Sequence, residues 1–396
     1  MKRLSKDVYL LLISQVFVTA INALFASVSG LLGKSLTGSL TSSTLPIAAA
    51  TAGSLLMVYP LSRVMARYGR KKAFLLGAII GVSACPVFLA GLALGHFYLV
   101  LCGAFFVGAV NASCQYYRFA VAEAVTDEND RVLALSLLTG VMVIGGILGP
   151  LLGAAFAAAV PSVPFFGSFV VIAFFCIGIF VSHVFLSAGS AAKAQALPGV
   201  ERDAAESKYV KNVFLKATFL GMTASFVMHF IMNAAPLAMS AQGTSLDAST
   251  SVMQIHFAVG VLPSFFFAAL YRYVNPKNIL YISIALGLIE CLVLVSFPQT
   301  HTLFAIELGL AGLVHCLIIN VSNVLVVSAY GEKVEAKAQG FNSFVITVSI
   351  AAASAAAGVA MAYLGWEKLN YICVLLLMFA AFVAYSLRLK MGGKRG

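Results

Sequence analysis

The sequence predicts an all-α membrane protein of twelve transmembrane helices, arranged as two pseudo-symmetric six-helix bundles. Three observations carry that reading. First, 61% of the chain is hydrophobic and only 10% is charged, whereas soluble domains hold roughly 45–50% apolar and about 25% charged residues. Second, the apolar residues gather into runs of about twenty, the length that crosses a bilayer as a helix. Third, the two halves of the chain repeat each other's landmarks.

The runs lie near 8–31, 44–64, 73–94, 98–124, 133–159 and 164–187, and then near 213–238, 249–271, 278–297, 302–328, 341–363 and 369–387. Segments such as Ala73–Leu94 are apolar on every face. A membrane β-strand would alternate polar and apolar residues over about ten positions, so helices are the expected element. The first run follows Met1-Lys2-Arg3 but is too long for the core of a secretory signal, and is read as a retained helix. The seven cysteines all sit inside apolar runs without a metal-type spacing, so they are expected to pack as small apolar residues.

The net charge of +11 would suggest nucleic acid in a soluble chain. Here its distribution follows the positive-inside rule. Only Lys34 and Lys368 fall in one set of alternate loops, and Arg118 falls inside a run. All other Lys and Arg residues fall on the opposite side, among them Arg63, Arg67, Arg70, Lys71 and Lys72 after the second run. Both termini are therefore expected in the cytoplasm, in an inner membrane, with the lipid bilayer and no nucleic acid as surroundings.

The longest polar break, with a Pro-Gly pair and mixed charges, reads as a linker over 188–211. It would join an N-terminal bundle, 1–187, to a C-terminal bundle, 212–396. Across that linker Arg67-Tyr68 with Lys72 recurs as Arg272-Tyr273 with Lys277, and Leu75, Ile79 and His96 recur as Leu280, Ile284 and His301. All these matches share one offset, as a duplication requires.

The connection between the second and third runs reads Ser62-Arg63-Val64-Met65-Ala66-Arg67-Tyr68-Gly69-Arg70-Lys71-Lys72. It resembles the Gly-x-x-x-Asp-Arg-x-Gly-Arg-Arg/Lys loop of the major facilitator superfamily. Arg67, Gly69, Arg70 and Lys71 match, while Ser62 and Ala66 replace the usual Gly and Asp. Gly69 permits a tight turn. With the Asp lost, Arg67 and Arg70 are expected to pair with Glu123 or Asp127 and to form a gate. The fifth run carries Gly145-Gly146-Ile147-Leu148-Gly149-Pro150-Leu151-Leu152-Gly153, similar to a motif common in the family's drug/proton antiporters. Gly149 and Pro150 are candidate gating residues by that resemblance. The antiporter group's Arg is replaced by Ala104, and the first run holds no acid beyond Asp7.

Polar side chains inside hydrocarbon are costly and point to function. On the fourth run Asn111, Gln115 and Arg118 recur at helical spacing and should share one face. Arg118 is expected to face the cavity and hold an anionic or polar solute group through its planar fork, with Gln115 and Asn111 orienting it. Gln15, Thr19 and Asn22 make a matching face on the first run, and Asn233 follows His229 by four residues on the seventh. His229, His256 and Glu290 are the candidate proton carriers; His315 is a third histidine of that half. Glu290 also reads as a paired structural carboxylate, and Glu307, near the end of its run, is expected to be hydrated.

The sequence holds no P-loop, nucleophile elbow or His-Glu-x-x-His motif. The expected function is therefore a non-enzymatic, cofactor-free secondary transporter. It would act as a monomer, moving a small polar or anionic solute by alternating access, coupled to protons. Two other substrates remain open: a metal or metal-chelate taken up through His229, His256, Met228, Met232 and Met253, and drugs exchanged for protons. A membrane enzyme or sensor would need a catalytic cluster or an added domain that the sequence does not contain.

Overall fold

The computed structural model describes residues 4–125, 128–187, 204–297, 299–330 and 336–387. These residues form fourteen helices and no strand. The first half holds α1 (Lys6–Thr37), α2 (Leu45–Tyr68), α3 (Arg70–Ala93), α4 (Phe97–Cys114), α5 (Tyr117–Glu123), α6 (Glu128–Gly140), α7 (Met142–Ala155) and α8 (Phe166–Val184). The second half holds α9 (Ala204–Ala241), α10 (Leu246–Tyr273), α11 (Pro276–Ser296), α12 (His301–Tyr330), α13 (Ala336–Tyr363) and α14 (Gly365–Ser386).

Among the described residues, eleven segments are long and apolar enough to cross a membrane, and α11 is a twelfth apolar helix. Two crossings are interrupted: α4 and α5 together make the fourth, and α6 and α7 the fifth. The helices outrun the apolar runs because polar end residues extend a helix into the interface. Large apolar side chains such as Phe174, Phe266 and Phe382 point outward, where hydrocarbon can receive them.

Each half has its own hydrophobic core, one built on residues 8–186 and the other almost wholly on 213–387. The packing pattern repeats between them. In the first half α1 packs on α7 and α8, α2 on α4, α3 on α4, and α3 on α8. In the second half α9 packs on α13 and α14, α10 on α12, α11 on α12, and α11 on α14. Even the thiols repeat. Cys85 of α3 lies beside Cys176 of α8, and Cys291 of α11 lies beside Cys373 of α14. All four are free and buried.

Gly69 joins α2 to α3 at φ +87, the conformation for which the sequence needed glycine there. That marks one end of the bundle, the Gly69 end; the other is the Thr44 end. Between the halves, most of 188–211 lies outside the described residues, but α9 already begins at Ala204. The tail of the expected linker is thus helical, in keeping with its Ala, Glu and Lys content.

Candidate functional site

A chamber of about 370 Å³ lies between the two halves. The first half contributes Gln15, Thr19 and Asn22 from α1, Asn111 from α4, and Gln115 from its C-terminal cap. The second half contributes Met228, His229 and Met232 from α9, Phe257 from α10, and Ser354 from α13. The chamber's amides all come from the first half, set among apolar residues such as Ile21, Phe25 and Met142, whereas its imidazole comes from the second half beside Met228, Met232 and Phe257.

The amides are ordered by one another. Asn111 Nδ2 donates to Asn22 Oδ1 at 2.7 Å. Gln15 Nε2 donates to Thr19 Oγ1 at 3.2 Å, and Cys114 Sγ–H donates to Gln15 Oε1 at 3.1 Å. What remains unused matters more. Asn111 Oδ1 is buried without a donor, and neither the Asn22 amide nitrogen nor the Gln115 amide has a protein partner among the described residues. The chamber thus presents both amide donors and amide acceptors to whatever enters.

Arg118 does not join this lining. The helix breaks at Gln115–Tyr116, between α4 and α5, and the spacing that would align Arg118 with Asn111 and Gln115 holds only along an unbroken helix. Arg118 is exposed and stacks on the Phe119 ring, 4.8 Å from its centroid. Among the described residues no Lys or Arg lines the chamber.

Asn233 is 3% exposed and lies just behind the wall, donating through Nδ2 to Ser354 Oγ at 2.9 Å. It ties α9 to α13 and reaches the chamber only through that partner. His229 does line the chamber. Its Nδ1–H donates to Ser225 O at 2.8 Å, because a carbonyl can only accept, so Nε2 is left as a free acceptor. The Ser225 hydroxyl meets His315 Nε2 at 3.3 Å, and the two rings stand edge to face at 6.1 Å. His315 is therefore the histidine coupled to His229. His256 is 3% exposed and gives its Nδ1–H to Leu308 O at 2.6 Å. Met253 is buried outside the lining. Among the described residues no three His, Cys, Asp or Glu side chains gather as a metal site would require.

At the Gly69 end Arg70 forms an ion pair with Glu123. Arg67 stacks instead on the Tyr68 ring at 5.2 Å, and Asp127 lies outside the described residues. The glycine-rich stretch of α7 is divided between two partners. Gly149 abuts the Ala20 carbonyl of α1, within the first half. Gly146 abuts Phe257 of α10, across the divide. Pro150 is buried within α7. His183, which the sequence gave no reason to single out, donates from Nδ1 to Phe74 O at 3.1 Å and accepts at Nε2 from Tyr117 O–H at 2.8 Å. It fastens α3, α5 and α8 together.

Glu290 and Glu307 are both buried, at 3% and 1% exposure. Glu307 is thus buried rather than hydrated as its position suggested; at that end Trp366 of α14 meets Phe304 of α12, ring centroids 5.3 Å apart. Neither carboxylate has a cationic partner among the described residues.

The comparisons agree with this architecture. The family model described as Major Facilitator Superfamily matches residues 11–310. The riboflavin transporter RfnT of Brucella anthropi is 27% identical over 98% of this chain and 97% of its own length. The MFS-type transporter YdeG of Bacillus subtilis is 26% identical over 94% of this chain and 90% of its own. The crystal structure of a D-xylose-proton symporter superposes with a TM-score of 0.77 at 14% identity, covering 98% of this chain and 99% of that one. With its two six-helix halves and the chamber between them, the chain belongs to the Major Facilitator Superfamily of multi-pass membrane transporters.

Proposed function

We propose that this chain is a secondary transporter for a small polar organic solute, driven by protons across an inner membrane, with both termini in the cytoplasm. The observation that carries the reading is the chamber's two-sided chemistry. Amide groups of Asn22, Asn111 and Gln115 with unused donor or acceptor atoms lie across the chamber from Phe257, Met228 and Met232. Such a lining suits a planar heterocycle whose edge carries both N–H and C=O groups. The full-length likeness to a riboflavin transporter supports the same class of solute. A neutral or weakly charged solute is favoured over a strong anion, since Arg118 stands outside the lining.

Gln15 holds the amide wall in place, and Asn233 holds the opposite one. His229, backed by Ser225 and His315, is the chamber's proton-accepting group, and the free Nε2 is the atom that takes the proton. The two halves rock about the chamber. Arg70 with Glu123, the Gly69 turn, and the Gly149–Pro150 segment on α1 control the Gly69 end, with Arg67 flanking it.

The reading is tested in proteoliposomes by uptake of labelled riboflavin and by competition from other polar heterocycles. An imposed proton gradient should drive accumulation, and a protonophore should abolish it. Failure of every such heterocycle to enter or compete would overturn the solute class; accumulation indifferent to the protonophore would overturn the coupling. Orientation is tested separately. Single cysteines at Lys34 and Lys368 should react with an impermeant reagent from outside intact cells, and one placed within 188–211 should not.

A further inference from the structure

We propose that Glu290, Glu307 and Asn370 form a proton-binding site in the second half, apart from the chamber and open to uptake from the Thr44 end. The proposal rests on the proton-coupled reading above and names a second place where the proton is held. The three side chains come from α11, which packs on both α12 and α14, and from α12 and α14 themselves; one helical turn before Glu307 and Asn370, Phe304 of α12 meets Trp366 of α14 with ring centroids 5.3 Å apart. They lie at one depth: Glu290 is close to the end of α11 at Ser296, Glu307 to the start of α12 at His301, and Asn370 to the start of α14 at Gly365. At 1.5 Å per residue each sits about 8–9 Å below that end of the bundle.

The cluster is short of hydrogens. Glu290 Oε1, both oxygens of Glu307, and Asn370 Oδ1 are buried with no donor. Asn370 is 0% exposed, and one of its two amide N–H groups is given to Trp366 O at 3.1 Å, so at most one is left for the three orphaned carboxylate oxygens. The two carboxyl groups are close enough to repel each other when both are charged, and the Asn370 amide lies against Glu307. Two unpaired carboxylates cannot both persist as anions in such a place. A proton taken from water at the Thr44 end adds to one carboxylate oxygen. The resulting O–H donates to the other carboxylate or to the amide oxygen, which satisfies an orphaned acceptor at each end.

Neighbouring charged and titratable groups do not supply that hydrogen. His256 of α10 gives its Nδ1–H to Leu308 O. Glu367 accepts from Tyr371 O–H at 3.3 Å, and Lys368 is exposed. The Cys291 and Cys373 thiols face each other. His301, at the mouth of α12, is engaged with Ser251 at 3.0 Å and Ala248 O at 3.1 Å.

Trp366, the chain's single tryptophan, reports on this site because Asn370 is bonded to its carbonyl. In purified protein in nanodiscs, Trp366 fluorescence should change sigmoidally with pH. Infrared difference spectra should lose a protonated-carboxyl band over the same pH interval. In a Glu290→Gln/Glu307→Gln double variant, both changes should be lost. Absence of the carboxyl band in the wild type would overturn the proposal without recourse to any variant. So would an unchanged fluorescence titration in a double variant whose thermal melt matches the wild type. A fluorescence change driven by sodium but not by pH would assign the site to sodium and equally overturn it. If the titration maps to these residues but uptake ignores a protonophore, the coupled reading fails while the site stands. If uptake is protonophore-sensitive and the titration is missing, the reverse holds.

Discussion

The backbone N–H of Gly358 donates to Thr44 Oγ1 at 3.0 Å, a bond that ties α13 of the second half to the start of α2 at the Thr44 end, where the two helices pack. The contact is tight. A Cβ on Gly358 would lie 2.6 Å from Leu40 O and 2.7 Å from Ser43 Oγ, distances that force the halves apart. Gly358→Ala should therefore favour the state open at the Thr44 end. The check is labelling of a cysteine placed at Ser240, beside the cavity at that end. Its rate should rise in the Gly358→Ala background, and an unchanged rate would show that this contact does not hold the end closed.

The Arg70–Glu123 pair is the corresponding link at the Gly69 end, but it joins α3 to α5 within one half. Arg70 is 19% exposed and Glu123 58%, so water screens the pair and its worth to stability is about 0–1 kcal/mol. Its effect should appear instead in the balance of open states. Glu123→Arg should shift accessibility at the Gly69 end with little change in melting temperature. Arg70→Glu combined with Glu123→Arg should restore the balance. Failure of the double exchange to restore it would remove the pair from the gate.

In the chamber, Asn22 and Asn111 hold each other. Asn111→Leu removes the bond to Asn22 and leaves its carbonyl oxygen without a donor, a loss of ~1–2 kcal/mol, or roughly 5- to 30-fold in apparent affinity. Uptake measured across substrate concentrations should show the change in KM, with a smaller effect on maximal rate. An unchanged KM would place the solute elsewhere.

Much of this was legible in the sequence because it follows from composition and short-range geometry. Hydropathy located the helices, and Gly69 marked a turn that needs a positive φ. The amides of α1 and α4 were found by helical spacing. What the spacing could not reveal was tertiary. The break at Gln115–Tyr116 turns Arg118 off the shared face, and nothing apolar or polar nearby signals it. Gly146 and Gly149 look alike in sequence, yet one meets Phe257 and the other Ala20. Glu307 looked hydrated because its distance along the chain from the helix end was small, while its burial is set by tertiary packing.

His229 and His315 share Ser225, which accepts from one through its carbonyl and faces the other through its hydroxyl. If His229 Nε2 takes the coupling proton, His229→Gln should abolish uphill accumulation yet leave exchange of solute across the membrane largely intact. Ser225→Ala removes only the hydroxyl and should weaken coupling less. Counterflow and gradient-driven uptake in the same vesicles separate the two activities. Equal loss of both in His229→Gln would point to a binding or packing role.

Arg118 offers the sharpest contrast between direct contact and long-range attraction. It is the one Lys or Arg in the interior of an apolar run, and among the described residues it has no carboxylate partner. Its guanidinium rests on the Phe119 ring, outside the chamber. A planar fork gripping the solute would make Arg118→Lys nearly as damaging as Arg118→Ala. A cation beside the route to the chamber acts through its field, which a lysine reproduces and salt weakens over about 8–10 Å. The geometry favours the second. Arg118→Lys should keep near wild-type uptake. Arg118→Ala should slow entry of acidic analogues several-fold at low ionic strength, should lose that effect as salt is raised, and should leave neutral analogues unaffected. If Arg118→Lys is as inactive as Arg118→Ala at every salt concentration, the side chain grips the solute in another state of the cycle, and the field argument is wrong.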